Sequence, residues 1–437
     1  MALFTLTPLF THQNPNPNPQ IRAKNPKFRS IRASVRANSG DSPPDSTRLV
    51  TFLGKGGSGK TTAAVLAAKY YAKEGLRTCL VIHSQDPTAE QLIGCKIGAS
   101  PRMYSDNFSA VRLETSKMLL EPLERVKKVD ARLNLTQGIL EGVVGEELGV
   151  LPGMDSILSA LALEKLVSFL PSERYSTKRE FDIVVYDGIS TEDTLRLIGA
   201  TERAKWYLKY IRSMAEKTDI GRVTSPSLLK LAYESARSNY GSSDGKTSTD
   251  IWSDIEQILE KASVSFGDSS KIGCYLVIDP SRPVSLISAL RYWGCAIQAG
   301  TQICGAFGFA SQSSMAKEEV AEKISPLDYA LVPYFTADSS MDWDAILNSL
   351  SLDAKQMFRS ANNPNQASVK FDSTKKSVTL FMPGFDKSEV KLYQYRGGSE
   401  LLVEAGDQRR IIRLPAGMQG KVGGAKFIDR NLVVTLR

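Results

Sequence analysis

Short apolar runs alternate with longer amphipathic stretches along residues 48–350, and several of the runs have the length of buried strands. They are Leu49–Leu53, Cys79–Ile82, Ile183–Tyr186, Tyr275–Ile278 and Ile303–Phe307. Runs that are apolar on both faces are typical of parallel strands covered by helices on each side. A helix is predicted from Thr61 to about Glu74, ended by Gly75 in a left-handed cap. The pattern predicts an α/β fold with a mostly parallel, doubly wound sheet.

Two long segments interrupt this alternation. Residues 115–170 and 201–262 carry apolar stripes at helical spacing, and we predict that both are helical inserts. The first contains a series of glycines, each of which costs a helix about 1 kcal/mol relative to alanine. They are Gly138, Gly142, Gly145, Gly149 and Gly153. Two interpretations stay open for this insert, a moving lid or a pair of packed helices with a Gly-rich connector.

The pattern changes again near the C-terminus. We expect residues 351–367 to form a linker, because an Asn- and Pro-containing polar stretch ends them. Residues 368–437 contain short apolar runs separated by turn residues, which predicts a small all-β sandwich. The runs are Val378–Phe381, Val390–Tyr393, Leu401–Val403, Ile411–Leu414 and Leu432–Leu436.

The N-terminal segment is polar and basic. Residues 1–40 hold six of the eight excess positive charges of the chain and no acidic residue. We interpret residues 1–37 as a transit peptide, with residues 38–47 as a polar linker. The Pro and Asn content favours the plastid stroma over the mitochondrion, whereas an uncleaved disordered tail would have the same composition.

The remaining composition excludes several classes of function. A net charge of +2 outside residues 1–40 gives no reason to expect a nucleic-acid partner. The five cysteines contain no Cys-x-x-Cys pair, so neither a disulfide framework nor a zinc clasp is indicated. Two histidines argue against Ser-His-Asp chemistry. No apolar stretch approaches the roughly 20 residues of a membrane span, and we expect no integral membrane segment.

The strongest chemical signal is a Gly-rich loop between the first strand and the first helix. It comprises Gly54, Lys55, Gly56, Gly57, Ser58, Gly59, Lys60, Thr61 and Thr62. Such a loop presents backbone N–H groups to phosphate at a helix N-terminus. We expect Lys60 to reach the β- and γ-phosphates and the Thr61 hydroxyl to bind Mg²⁺, so the loop predicts an ATP-binding P-loop.

Three further residues are candidates for the same site. Lys55 would add positive charge at the transferring phosphate or at a facing subunit, although it could be a solvated loop residue. Asp86 follows the second strand, where an acid can orient the attacking water, or it could be a simple turn aspartate. Asp187 ends the strand beside the P-loop strand, where a Mg²⁺-linked carboxylate belongs, or it could cap a helix.

These residues, in this order, resemble the arsenite-pump and tail-anchored-protein-targeting ATPases, a family of dimeric P-loop ATPases whose loop reads Lys-Gly-Gly-x-Gly-Lys-Thr-Thr. The resemblance covers roughly residues 48–350 and includes Lys55, Asp86, Leu151–Asp155 and Phe181–Asp187. It implies that ATP closes a homodimer and that Asp86 activates water. It also implies that the helical inserts form a hydrophobic groove for membrane-protein segments.

The chain departs from that family in four respects. Residues 188–194 read Gly-Ile-Ser-Thr-Glu-Asp-Thr, where the family usually has Thr-Ala-Pro-Thr-Gly-His-Thr. The customary adenine-contacting Asn is replaced within Gly305–Phe309. The zinc clasp and the cysteine cluster of arsenite sensing are both missing from the sequence, so we do not expect an arsenite pump.

The C-terminal residues resemble the α-crystallin domain of small heat-shock proteins. The resemblance lies in Leu380–Phe385, Ile411–Pro415 and Asp429–Val434. Residues 403–409 pass directly into the next strand and leave no room for a long strand-exchange loop. We therefore expect a sandwich that does not drive assembly into large oligomers.

The sequence as a whole predicts an ATP-hydrolysing dimeric chaperone or targeting factor for hydrophobic membrane-protein segments in the plastid. Two alternatives remain. One is a nucleotide-switched scaffold related to partitioning or metallocluster-assembly ATPases, which generally lack the two helical inserts. The other is a slow ATPase that acts mainly as a holdase through its β-sandwich.

Overall fold

A computed structural model describes residues 47–113, 180–200, 248–268, 270–310, 317–333, 335, 341–359 and 367–437, with isolated positions between 159 and 217. The transit-peptide segment 1–37, residues 38–46 and nearly all of the insert 115–170 lie outside the described residues. The same is true of most of the insert 201–262. None of the helices in the described ranges combines the length and the apolarity needed to cross a lipid bilayer.

The central element is one large sheet. Its strands are β1 (Arg48–Leu53), β2 (Thr78–Ile82), β3 (Arg102–Ser105), β4 (Phe108–Arg112), β5 (Ile183–Asp187), β6 (Ile272–Ile278), β7 (Ile303–Ala310) and β8 (Tyr329–Pro333). They are ordered β3-β4-β2-β5-β1-β6-β7-β8, and all neighbours are parallel except β3 and β4. The predicted α/β class with a mostly parallel sheet is confirmed.

The strands next to β1 bring three loops to one edge of the sheet. β1 lies between β5 and β6, and β5 also pairs with β2, with Ile82 opposite Asp187. Because the carboxyl ends of parallel strands lie at the same edge, the segments that follow Leu53, Ile82 and Asp187 are neighbours there. All residues of β1, β2 and β5 are buried, as expected for strands covered on both faces.

Helices cover the sheet. They are α1 (Lys60–Lys73), α2 (Thr88–Ile93), α3 (Thr191–Ile198), α4 (Ser248–Gly267), α5 (Pro283–Ala299), α6 (Lys317–Ile324), α7 (Trp343–Ser349) and α8 (Leu352–Arg359). The predicted first helix is confirmed within one residue at each end, and Gly75 beyond it has a left-handed φ of 86°. α4 overlaps the second predicted insert but continues past its predicted end at residue 262 to Gly267.

The C-terminal residues form two antiparallel sheets. The strands are β9 (Val369–Asp372), β10 (Ser377–Phe381), β11 (Lys391–Tyr395), β12 (Glu400–Ala405), β13 (Gln408–Arg413), β14 (Val422–Ile428) and β15 (Asn431–Leu436). One sheet has the order β14-β15-β10-β9 and the other β11-β12-β13. β12 and β13 are joined by the two residues Gly406 and Asp407, so this connection holds no long strand-exchange loop.

The two sheets of the sandwich pack against the helical layer of the α/β portion, residues 47–359. Trp293 of α5 meets Phe381 with ring centroids 5.0 Å apart, in an edge-to-face geometry. Arg291 of α5 pairs with Glu389 at 2.6 Å and lies over the ring of Phe385. A single cluster of buried apolar residues runs from β6 and α5 into the sandwich. The two portions therefore share one core.

The predicted linker at residues 351–367 is wrong over its first half. Residues 352–359 form α8, whose Ala354, Met357 and Phe358 are buried in the core beside α1. The linker prediction failed because α8 is short and mostly polar. Its few apolar residues have helical spacing, but they are too few to be recognised as a helix in the sequence. The described structure of the α/β portion thus extends beyond residue 350 to Arg359, and residues 360–366 are outside the described ranges.

Candidate nucleotide site

The Gly-rich loop has a backbone that glycine alone accommodates at several positions. Gly57 and Gly59 have left-handed φ angles of 79° and 96°. A Cβ on Gly54 would lie 2.5 Å from the carbonyl oxygen of Val277 in β6. The Ser58 N–H donates to the Lys55 carbonyl at 3.0 Å, which closes the loop into a turn. The loop thereby leads the chain from β1 directly into the N-terminus of α1.

Lys60, Thr61 and Thr62 are the first residues of α1. The first turn of this helix carries no acidic residue, so the positive end of its dipole is not neutralised from within the helix. Burial lowers the pKa of Lys60, although the carboxylates of Asp187 and Glu192 oppose the shift. A partly buried ammonium group at this position is suited to binding phosphate oxygens.

Asp187 ends β5 at the same edge of the sheet. It is only 3% exposed, and its Oδ2 has no hydrogen-bond partner among the described residues. Burial raises the pKa of its carboxyl group to about 6, while a hydrogen bond with Thr61 and the charge of Lys60 act in the opposite direction. An unpartnered carboxylate oxygen beside a threonine hydroxyl is the donor set that Mg²⁺ prefers, and the residues present therefore fit this ion.

The alternative interpretation of Asp187 as a helix cap is wrong. The N-cap of α3 is Ser190, whose hydroxyl accepts the Asp193 N–H at 3.0 Å. The Asp187 carboxylate is therefore not engaged by the helix terminus that follows it.

Asp86 lies after β2 and is exposed. Its Oδ1 accepts the Thr88 N–H at 2.8 Å, the hydrogen bond expected of a turn aspartate. Hydrogen bonds from Thr88 hold the pKa of Asp86 below its usual range, and its negative charge in turn contributes to the raised pKa of Asp187. Asp86 is thus an ionised carboxylate beside the predicted metal ligands, with one oxygen engaged in a turn.

The other candidate residues line the same loop. Lys55 is exposed together with Gly56 and Gly57, at the start of the loop. Ser58 is buried, and its hydroxyl oxygen has no partner among the described residues. Among the charged candidates, Lys55 and Asp86 are thus exposed to solvent, whereas Asp187 is buried at the end of β5.

Sequence reasoning missed Thr191 as a functional residue. Its hydroxyl oxygen lies 2.9 Å from the Gly54 amide nitrogen and 2.7 Å from the Gly54 carbonyl oxygen, which ties α3 to the first residue of the loop. The sequence did contain a signal for this helix. Ser190 and Asp193 have the spacing of a capping motif, which places Thr191 in the first turn of a helix. Thr191 is one of the two positions at which residues 188–194 agree with the family segment quoted above, so this contact with the P-loop is made by a residue that the departure leaves in place.

The side of the site next to β7 is aromatic. The Phe309 ring would come within 3.1 Å of a Cβ on Gly59, so the ring packs directly on the loop. Phe309 also meets Phe335 with ring centroids 6.2 Å apart. Residues 311–316, which follow β7, lie outside the described residues.

The cysteines and His83 are packing residues. Cys79, Cys274, Cys295 and Cys304 are buried, and none of the four forms a disulfide bond. His83 is buried, with its Nδ1 2.8 Å from the Tyr186 hydroxyl oxygen. Within the described ranges, no group of three or more His, Cys, Asp or Glu side chains could hold a metal ion.

Comparison with known proteins is consistent with this geometry. The chain is 24% identical over 408 residues to a putative arsenical pump-driving ATPase of Chlorobaculum tepidum, covering 88% of this chain and 95% of that protein. It is 29% identical over 158 residues to the ATPase ASNA1 homolog 2 of Paramecium tetraurelia, covering 35% of this chain and 44% of that protein. A putative arsenical pump-driving ATPase of Halobacterium salinarum is 32% identical over 165 residues, covering 36% of this chain and 24% of that protein.

Two family profiles match the two portions of the chain. Residues 373–436 match an HSP20-like domain found in ArsA, and they contain every strand of the β-sandwich except β9. Residues 47–281 match the anion-transporting ATPase family and contain the whole phosphate loop, Asp86 and Asp187. The chain therefore belongs to the anion-transporting ATPase family and is an ATP-hydrolysing enzyme.

Proposed function

We propose that this ATPase is a Mg²⁺-dependent, dimeric chaperone or targeting factor that binds hydrophobic segments of membrane proteins in the plastid stroma. The observation that carries the ATPase part is the buried Asp187 carboxylate beside Thr61 and Lys60, at the end of a glycine loop. The client, the location and the dimer rest on the family resemblance and on the composition of residues 1–37.

The residues of this chain have separate roles in the reaction. Lys60 and the loop amides bind the β- and γ-phosphates, and Thr61 with Asp187 would hold Mg²⁺. The ion neutralises phosphate charge when bound. Asp86, ionised and exposed, orients the attacking water and accepts its proton. Lys55 adds positive charge at the mouth of the site, where a second subunit's nucleotide would lie.

The dimer is tested by measuring mass with and without ATP. Asp86→Asn is the suitable background because slow turnover keeps ATP bound. We expect the mass to double on addition of ATP and Mg²⁺, and Lys55→Ala to prevent the doubling. Mass that stays at 47.9 kDa per particle at saturating ATP would exclude a nucleotide-closed dimer.

The client is tested by crosslinking the Asp86→Asn protein in intact plastids and identifying the captured proteins. Enrichment of single-span membrane proteins supports targeting, whereas soluble complexes support the scaffold alternative.

The location is tested separately by fusing residues 1–37 to a fluorescent protein. Fluorescence in the stroma supports the transit peptide, and diffuse cytosolic fluorescence contradicts it.

One feature favours the holdase alternative as a second function. The outer face of the sheet β11-β12-β13 carries an apolar row, in which Tyr393, Leu402 and Ile411 are opposite one another. Tyr393 and Ile411 are exposed. Such a row can bind an extended apolar segment. Replacing Tyr393 and Ile411 by Ser should weaken suppression of aggregation of an unfolded protein and leave the ATPase rate unchanged.

A further inference from the structure

The turn between β12 and β13 lies where the sandwich meets the ATPase portion. Gly406 and Asp407 have positive φ angles of 57° and 60°, and Ala405 pairs with Gln408. This is a two-residue hairpin of the tight type that requires left-handed backbone at both positions. The connection between the two strands is therefore as short as a hairpin allows.

One side of this turn packs on α5. The Cys295 Sγ lies 3.9 Å from the Gly406 carbonyl oxygen. A Cβ on Gly406 would lie 2.5 Å from Cys295 Sγ and 2.8 Å from the Phe385 ring. Because there is no room for a side chain at position 406, the backbone of the turn packs directly against α5.

The other side of the turn faces α3. The Asp407 Oδ2 lies 4.0 Å from the Arg196 Nε. Gln408 is buried, and its Oε1 would lie 3.1 Å from a Cβ on Gly199, directly after α3. The turn thus contacts both the last turn of α3 and the residue that ends it.

The opposite end of α3 is attached to the nucleotide site. Thr191 is hydrogen-bonded to Gly54 of the phosphate loop. Glu192 accepts a hydrogen bond from the Tyr292 hydroxyl of α5 at 2.9 Å, and its charge also acts on Lys60. The short helix α3 is therefore fixed to the P-loop at its start and to the sandwich at its end.

We infer that the β12–β13 turn belongs to the ATPase machinery: Asp407, Gln408 and Tyr292 are positioning residues that hold α3, and through Thr191 the phosphate loop, in the arrangement needed for hydrolysis. The sandwich then contributes to ATP hydrolysis through its contacts with α3. Because coupling between two sites is reciprocal, nucleotide must also change the environment of the turn.

A matched pair of variants tests the turn. Asp407→Asn keeps a residue that tolerates left-handed backbone and removes the charge facing Arg196. Asp429→Asn is the control, because Asp429 and Arg430 form the same kind of two-residue turn between β14 and β15, with φ angles of 45° and 63°. We expect kcat to fall about two- to fivefold in Asp407→Asn, with little change in KM, and to stay unchanged in Asp429→Asn.

A second variant and a second measurement separate positioning from folding. Tyr292→Phe keeps the ring and removes the hydrogen bond to Glu192, and we expect kcat to fall about three- to tenfold at an unchanged melting temperature. Hydrogen exchange of the peptide 400–412 should respond to ATP in the wild-type protein. The response should be lost in the double variant Tyr292→Phe/Asp407→Asn.

Three results would overturn the inference. The first is a kcat of Asp407→Asn and Tyr292→Phe equal to that of the Asp429→Asn control. The second is a fall in rate fully explained by a lower melting temperature. The third is a rate of hydrogen exchange in peptide 400–412 of the wild-type protein that does not change when ATP is added.

Discussion

The two candidate carboxylates at the nucleotide site have opposite environments. Asp187 is buried, and its pKa is raised to about 6, whereas Asp86 is exposed and hydrogen bonds from Thr88 lower its pKa. Such a separation assigns different tasks to chemically similar groups. An oxygen that lacks a protein partner suits a metal ligand, and a carboxylate ionised at neutral pH suits a proton acceptor.

Asp86→Asn should separate ATP binding from hydrolysis. The amide oxygen of Asn can still accept the Thr88 N–H, so the turn is preserved while the proton acceptor is lost. We expect ATP affinity within about threefold of wild type and a kcat about 10²–10⁴-fold lower. Single-turnover hydrolysis and equilibrium binding of labelled ATP measure the two quantities.

A control for this variant exists in the sandwich. Asp372 accepts the Thr374 N–H at 3.0 Å in a turn of the same type, remote in sequence from the P-loop. Asp372→Asn should leave kcat unchanged. Equal turnover of Asp86→Asn and the wild-type protein would remove Asp86 from the mechanism.

Asp187→Asn should stabilise the metal-free protein while abolishing turnover. The raised pKa, about 6 against an ordinary 3.8, means that ionised Asp187 costs the folded state up to about 3 kcal/mol. Below the ordinary pKa of 3.8, the carboxyl group is protonated in both the folded and the unfolded state, and the cost is absent. The cost grows as the pH rises from about 4 to 6 and is fully present above about pH 6. The variant should therefore have the higher free energy of unfolding at pH 7–8 in the presence of a chelator, with the difference vanishing near pH 4.

Denaturant unfolding at several pH values measures this difference. Asp106→Asn is the control, because Asp106 is exposed in the β3–β4 turn. A variant of Asp187 that is less stable than wild type at pH 8 without metal would contradict the electrostatic account. Retained Mg²⁺-dependent hydrolysis would contradict its assignment as a metal ligand.

At the scale of elements, the sequence pattern predicted those strands whose residues are apolar on both faces. β1, β2 and β5 are of this kind. β3 was missed because Arg102–Ser105 is an exposed antiparallel edge strand with little apolar character. α8 was missed because its short amphipathic pattern falls in a polar context, and only its packing against the core stabilises it.

Part of the nucleotide site was also predictable from the sequence. The loop residues form a contiguous motif whose backbone chemistry can be recognised from sequence. The contact of Thr191 with Gly54 was not predicted because the two residues are 137 positions apart and meet only through the pairing of β1 with β5. The environments of Asp86 and Asp187 likewise depend on burial, which a single sequence does not reveal.

The glycines of the loop should differ in their tolerance of alanine. A Cβ on Gly54 would collide with the Val277 carbonyl and the Ser58 hydroxyl, each 2.5 Å away, whereas a Cβ on Gly56 would meet nothing within 4 Å. We expect Gly54→Ala to lose about 1–3 kcal/mol of stability and Gly56→Ala less than about 0.5 kcal/mol. Chemical denaturation without nucleotide provides the comparison, and equal losses would show that the loop is looser than its backbone suggests.

At the scale of the whole molecule, the ATPase portion and the sandwich are joined by packing as well as by the chain. The cluster that includes Leu276 of β6 and Trp293 of α5 continues into Leu380 and Val434 of the sandwich. Within the ATPase portion, α8 is held by Arg48 of β1, a buried guanidinium that donates to the Phe358 carbonyl at 3.4 Å and to the Tyr275 hydroxyl at 3.1 Å. It satisfies a carbonyl at the end of α8, the last described helix before the sandwich.

This shared core bears on how the two portions can be studied separately. Deleting residues 368–437 would expose the apolar face of α5, including the buried residues Trp293 and Cys295. A truncated protein would therefore lose stability as well as the sandwich, and a reduced ATPase rate in it would not identify a regulatory role. Point variants at the boundary avoid this ambiguity because they leave both portions covered.

Trp293→Ala should destabilise both portions together. Trp293 is 3% exposed and packs edge-to-face on Phe381, so its truncation removes a large buried surface on each side of the boundary. We expect a loss of about 3–5 kcal/mol, and we expect the phosphate loop and the sandwich to unfold in the same transition. Tyr395→Ala, on the exposed face of β11, should change stability by less than about 1 kcal/mol.

Hydrogen exchange resolved by peptide, followed along a denaturant series, measures this cooperativity. Peptides from β1 and α1 report on the nucleotide site, and peptides from β14 and β15 report on the sandwich. Because the two portions share one apolar cluster, their midpoints should coincide in the wild-type protein and move together in Trp293→Ala. If the sandwich peptides alone shifted, the boundary would be an ordinary domain interface, and the coupling through α3 would have to operate without a common core.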